Sequence, residues 1–168
     1  MFTIEIDGKD ALYANNNLNT NMCVKVDGEC FPDSEWTDFV IVVLTWWCNE
    51  FVTLYPKTKA ETCFAFMDGD FCINCRKHKE VMTLEMHTRN GKEIVTSVLA
   101  DDFAAKLLLA TEQAKSIIDS YEDVGTRDYT LMLRAKKKLE KLISNANQNP
   151  GARKGKKGAT AGYPKIGE

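Results

Sequence analysis

The sequence predicts an α+β fold. Its mainly antiparallel sheet of about six strands, in the order ββαββββαα, packs against a Trp-rich central helix and two C-terminal helices. Three observations carry that prediction. Short runs with period-two alternation flank Asp-Gly and Asn-Gly turns. One long apolar run, "FVIVVLTWWCNEF", has helical spacing. The segments after residue 101 repeat apolar residues every three to four positions.

"FTIEID" (2–7) alternates apolar and polar residues and reads as a half-buried strand. The Asn-rich "YANNNLNTN" (13–21) reads as a loop. "MCVKVDGECF" (22–31) reads as a second strand with a break at Asp27-Gly28. Phe31-Pro32-Asp33-Ser34 is a helix-start signal, since Asp33 or Ser34 can cap orphan amides. Glu35 and Asp38 would then place negative charge in the first turn. The helix is expected from Ser34 to about Leu54, stopping before Pro56. Trp36, Val40, Val43, Trp47, Phe51 and Leu54 share one face, and Phe39, Ile41, Leu44 and Trp46 widen it.

"ETCFAFM" and "DFCIN" flank Asp68-Gly69, and "VMTLEMHTR" and "KEIVTSVL" flank Asn90-Gly91. Both are two-residue hairpin turns in this reading, because Asp, Asn and Gly tolerate positive φ. In the first hairpin Phe66 faces Phe71, Phe64 faces Ile73, Ala65 faces Cys72, and Cys63 faces Asn74. Phe64, Phe66, Phe71 and Ile73 then seat the central helix. The second hairpin offers Met82, Leu84, Met86 and Val95 on one face. Asp101 or Asp102 caps a helix over 103–122, with a stripe of Phe103, Leu107, Ala110, Ala114, Ile117 or Ile118, and Tyr121. Gly125 ends it and Thr126 opens the last helix, whose narrower stripe is Tyr129, Met132 or Leu133, Lys136, Leu139 and Ile143. Residues 1–148 are expected to form one domain, and 149–168 a basic, Gly-rich flexible tail.

Composition bounds the function. The 168 residues are 44% hydrophobic, enough for a real core. Residues 1–148 carry 17 Lys+Arg against 23 Asp+Glu, whereas 149–168 carry five basic residues and one acidic. An acidic body disfavours phosphate backbones and suits a basic protein partner. The N-terminus lacks the basic and apolar regions of a signal peptide, and the longest apolar run is about half a bilayer span. Six cysteines are too few for a disulfide scaffold. A cytoplasmic protein with reduced thiols and no membrane association is therefore expected.

"MDGDFCINCRKHKE" (67–80) is the stretch that most resembles a chemical centre. Cys72, Cys75 and His78, with Cys63 or His87, could be a zinc set. Strand alternation instead sends Cys72 and Cys75 to opposite faces, so packed free thiols and no metal are expected. Asp68-x-Asp70 lacks EF-hand spacing and is explained by the turn. His78 and His87 read as surface histidines, which leaves no base for a Ser or Cys nucleophile. "GARKGKKG" lacks the strand and helix of a phosphate-binding loop. No catalytic residue and no cofactor are expected.

The remaining candidates are charged. Acidic groups fall in three patches: Glu5/Asp7/Asp10, Asp27/Glu29/Asp33/Glu35 and Asp119/Glu122/Asp123. Arg153, Lys154, Lys156 and Lys157 make the tail basic, and Arg76-Lys77-His78-Lys79 forms a second basic spot without interleaved aromatics.

Trp36-x-Asp38-Phe39 ahead of an apolar helix, then Trp46-Trp47, then "FAFMDGDF" in a hairpin and a capped amphipathic helix resemble small bacterial α+β immunity-type proteins. These neutralise toxins or inhibit defence complexes, and the likeness covers roughly residues 22–122. It implies a stoichiometric, non-enzymatic inhibitor that masks a protein partner such as a basic nuclease, toxin or defence complex. Two alternatives stand beside it: a nucleic-acid-associated protein using the tail, and a small-molecule binder or enzyme.

Overall fold

The computed structural model describes residues 1–14, 17–121 and 127–148. It is α+β, with two antiparallel four-stranded sheets and three helices. There are therefore eight strands, in the order ββββαββββαα. The tail 149–168, Gly125 and Thr126 lie outside the described residues.

The first sheet comprises β1 (Phe2–Ala14), β2 (Asn17–Val26), β3 (Glu29–Phe31) and β4 (Thr37–Phe39). β1 pairs along one edge of β2, and β3 and β4 share the other. The Asn-rich stretch is thus strand rather than loop. Asn17, Asn19 and Asn21 alternate with the fully buried Leu18, Thr20 and Met22, so period-two burial overrides the poor strand propensity of Asn. β1 runs past residue 7 by a bulge between Asp7 and Leu12. Gly8 sits there under α2, where a Cβ would stand 2.9 Å from Ile117 Cδ1. Asp27 and Gly28 take φ of 49° and 95° and make the β2–β3 turn.

The central helix begins later than the sequence signals. Asp33 accepts from the Glu35 amide at 2.8 Å in a local turn, and Thr37–Phe39 extend to pair with Asn19–Asn21 of β2. Those pairings satisfy backbone groups that a helix start would have left orphaned. The helix α1 is Val40–Leu54, entered from Phe39 without a side-chain cap. Eight of its residues are buried, covering several sides, but Trp46 is 46% exposed and does not widen the core face.

The second sheet comprises β5 (Lys59–Ala65), β6 (Cys72–His78), β7 (Val81–His87) and β8 (Glu93–Leu99), in that order. The β5–β6 register pairs Phe64 with Ile73, Ala65 with Cys72 and Cys63 with Asn74, as the two-residue turn requires. The β7–β8 register is one residue off the expected one, since His87 faces Glu93. Thr88 and Lys92 close a three-residue loop with Gly91 at φ 83°, and the Thr88 hydroxyl accepts from the Lys92 amide at 2.9 Å. Ile94, 7% exposed, therefore joins Met82, Leu84 and Met86 in the core, and Val95 points outward.

α2 (Ala100–Ile118) follows β8 directly from Leu99, so Asp101 and Asp102 lie in its first turn rather than capping it. Phe103, Leu107, Ala110, Ala114 and Ile118 are its buried stripe. α3 (Arg127–Gln148) returns antiparallel, burying Tyr129, Met132, Ala135 and Leu139. One hydrophobic cluster joins all three helices and both sheets. Its centre is Phe103, whose ring lies 4.9 Å from Phe64 and 5.5 Å from both Phe51 and Phe2.

Candidate functional site

The second sheet buries one face and exposes the other, because burial alternates along β6, β7 and β8. Register reads the outer face in rows: Lys59–His78–Val81–Leu99, then Glu61–Arg76–Thr83–Ser97, then Cys63–Asn74–Glu85–Val95. Ala65–Cys72 and His87–Glu93 lie beyond them.

This grid places each candidate ligand of "CINCRKH". Cys75 points into the core, where burial pushes its thiol up to about 12. Cys72 and His78 share the outer face but stand six residues apart on one strand, about 20 Å. Cys75 and His78 are therefore not brought together with Cys63 and Cys72. Cys63 and Cys72 form a disulfide across β5 and β6, with Cα atoms 5.8 Å apart. The expectation of free thiols fails for this pair, whose diagonal register puts both sulfurs on the outer face. Cys23, Cys30, Cys48 and Cys75 are free.

Register also assembles a group that sequence spacing does not show. Ligand atoms of Glu85, His87 and Glu93 lie within 4.8 Å of one another and are the residues that could hold a metal ion among those described. Arg76 competes for Glu85 at 3.0 Å, and Glu85 also lies 3.5 Å from His87 Nε2.

The acidic patches are largely compensated within the chain. Glu29 pairs with Lys92 at 2.6 Å, Asp33 with Arg89 at 3.5 Å, and Asp27 with the N-terminal amine. Glu35 is exposed. Glu29, Asp33 and Arg89 line a shallow cleft of about 430 Å³ beside Cys30 and Pro32. Glu5 pairs with Lys25, the Asp7 carboxylate accepts from the Lys9 amide, and Asp10 is exposed. Asp119 pairs with Lys115 and accepts from the Tyr129 hydroxyl, and the Lys115 and Tyr129 bonds hold its carboxyl below the usual range. Glu122, Asp123, Arg153, Lys154, Lys156 and Lys157 lie outside the described residues. Exposed pairs of this kind contribute about 0–1 kcal/mol each, and they weaken the local field that each patch would offer a basic partner.

Asp38 is the buried polar centre. Its Oδ2 accepts from Trp36 Nε1 at 3.2 Å and from the amides of Met67 and Asp68 at 3.1 and 3.3 Å. Its Oδ1 accepts from Phe39 N at 2.7 Å. Burial raises its pKa, and these four donors oppose the shift. Asp38 thus ties the β5–β6 tip to the β4–α1 junction.

The last feature is the outer edge of β8. Thr88 N bonds Lys92 O, and Ala100 N bonds Glu80 O, both at 2.8 Å. The alternation between these ends directs the backbone groups of 94, 96 and 98 to β7 and those of 93, 95, 97 and 99 away from it. No described strand pairs with that edge. A cleft of about 460 Å³ runs beside it, lined by Met1, Phe2, Ser97, Leu99, Asp102 and Lys106 among others. Val95 and Leu99 are 58% and 51% exposed, and Val81, opposite Leu99, is 42% exposed.

No family model matches the chain, and no curated protein or solved structure matches it. Among the described residues, no helix is long and apolar enough to cross a membrane.

Proposed function

We propose that the protein is a non-enzymatic binding protein of the inhibitor type, masking the surface of a protein partner through the second sheet. The observation that carries this reading is the outer edge of β8, with which no described strand pairs, and the exposed Val95 and Leu99 beside it. Such an edge offers a row of backbone donors and acceptors to a partner strand, with side-chain contacts at alternate positions for specificity. The acidic patches of the sequence contribute less in this reading, since Lys92, Arg89 and Lys115 already answer them.

Size constrains the contact. Four strands of seven residues present roughly 400 Å² of sheet face. A stable complex buries about 800 Å² per partner, so the partner must engage the edge and flanking loops as well as the face.

The test uses two variants of the β8 edge. Val95→Lys replaces an exposed apolar contact with a charge, and Ser97→Pro removes an outward-facing donor that makes no native ladder bond. With a partner captured from the host and then purified, each variant should weaken binding at least tenfold while circular dichroism and melting temperature stay native. Unchanged affinity in both variants would refute the proposal.

A further inference from the structure

Charge along the chain divides at the start of α3. Residues 1–126 carry 11 Lys+Arg against 21 Asp+Glu, and residues 127–168 carry 11 against three. The two halves are therefore −10 and +8. α3 belongs with the tail electrostatically, although it packs with the acidic body.

Its charges are ordered by that packing. Burial of Tyr129, Met132, Ala135 and Leu139 turns Arg127, Arg134, Lys137, Lys138 and Lys141 outward. At 1.5 Å per residue they form a stripe about 21 Å long. Asp128 lies in its first turn, and three other acids nearby are engaged elsewhere. Lys136, on the α2 side, holds Glu112 at 2.5 Å and Glu140 at 2.7 Å, and Glu50 accepts from the Thr62 hydroxyl. Lys138 reaches across to α1, where its contact is the neutral Asn49 Oδ1 at 3.4 Å, and no carboxylate among the described residues pairs with it. One turn from Asn49 stands Trp46, the large aromatic side chain left exposed on α1.

We propose that the outer face of α3, with Trp46 of α1, binds the backbone of single-stranded nucleic acid. The stripe supplies cations along a line, as a phosphate chain requires, and Trp46 supplies a ring on which a base can stack. A line of cations with an exposed indole at its side matches the alternation of phosphates and bases along a single strand. The five basic residues after 148 extend the same charge along the chain. The site is separate from the β8 edge.

The experiment is anisotropy of a labelled oligothymidylate of about 16 nucleotides with the full chain across a salt series. Binding should be micromolar or tighter at low salt and should quench tryptophan emission. Each single-strand phosphate contact adds about 0.7 to the slope of log K against log salt, so changing Arg134, Lys137, Lys138 and Lys141 to Gln should lower that slope by about 3. Trp46→Leu should abolish the quench while leaving the melting temperature unchanged. No binding at low salt, or an unaltered slope in the Gln variant, would overturn the proposal. Competition by polyglutamate as effective as by unlabelled oligonucleotide would overturn it in favour of an acidic protein partner.

Discussion

Replacing Asp38 tests whether the buried carboxylate holds the hairpin tip to α1. Asp38→Asn keeps one acceptor. If that oxygen serves Trp36, Met67 and Asp68, the new amide faces Phe39 N and leaves one donor orphaned, at about 1–3 kcal/mol. Asp38→Ala removes both oxygens. Met67 and Asp68 are exposed residues whose amides recover water, but Phe39 N and Trp36 Nε1 belong to half-buried residues, so the cost rises to about 2–5 kcal/mol. Against a total stability of about 5–15 kcal/mol this is large enough to read by urea unfolding monitored by circular dichroism. Amide exchange at Met67 and Asp68 should accelerate in both variants. A pH series adds a sign. Burial lifts the folded-state pKa above its ordinary 3.8, so the folded protein binds the proton more tightly than the unfolded chain. That contribution is present at low pH and lost as pH rises through the folded value, so the deficit of Asp38→Asn should widen on acidification from neutral. Asp38→Ala within about 0.5 kcal/mol of wild type, or unchanged exchange at Met67 and Asp68, would sink the reasoning.

Two further predictions concern the core and the thiols. Phe103→Ala should destabilise by about 3–5 kcal/mol, because its ring meets Phe2, Phe51 and Phe64 at one buried point, and calorimetry should show the matching drop in melting temperature. Alkylation of the native protein should modify the half-buried Cys30 first and, only after reduction, Cys63 and Cys72. Cys48 and Cys75, whose pKa burial pushes up to about 12, should react only on unfolding, and fast labelling of either would contradict their placement.

Residues whose partners are near in sequence were the legible ones. Asp68-Gly69 set the β5–β6 register, and with it the aromatic seat of Phe64, Phe66 and Ile73 under Trp47. The same alternation separated Cys72 from Cys75. It also contained the Cys63–Cys72 pair, since Cys63 faces Asn74 and therefore shares the outer face with Cys72, but the diagonal contact appears only once the strands are in place. Asn90-Gly91 misled by one residue, because Asn-Gly suits both a two-residue turn and a three-residue loop with Gly left-handed. That single step exchanged Val95 for Ile94 in the core.

The sequence by itself determined the α+β class, the antiparallel hairpins, the apolar central helix and the polarity between an acidic body and a basic end. These follow from periodicity, turn chemistry and charge, which act over a few residues or need no geometry. Tertiary structure decided the rest. β2 recruited Thr37–Phe39 into a strand against a helix-start signal, Lys92 and Arg89 neutralised acids about sixty residues away in sequence, and α1 left Trp46 exposed one turn from Asn49, which Lys138 reaches. Each depends on a partner distant along the chain, and local propensities of a few tenths of a kcal/mol yield to such partners when the core closes.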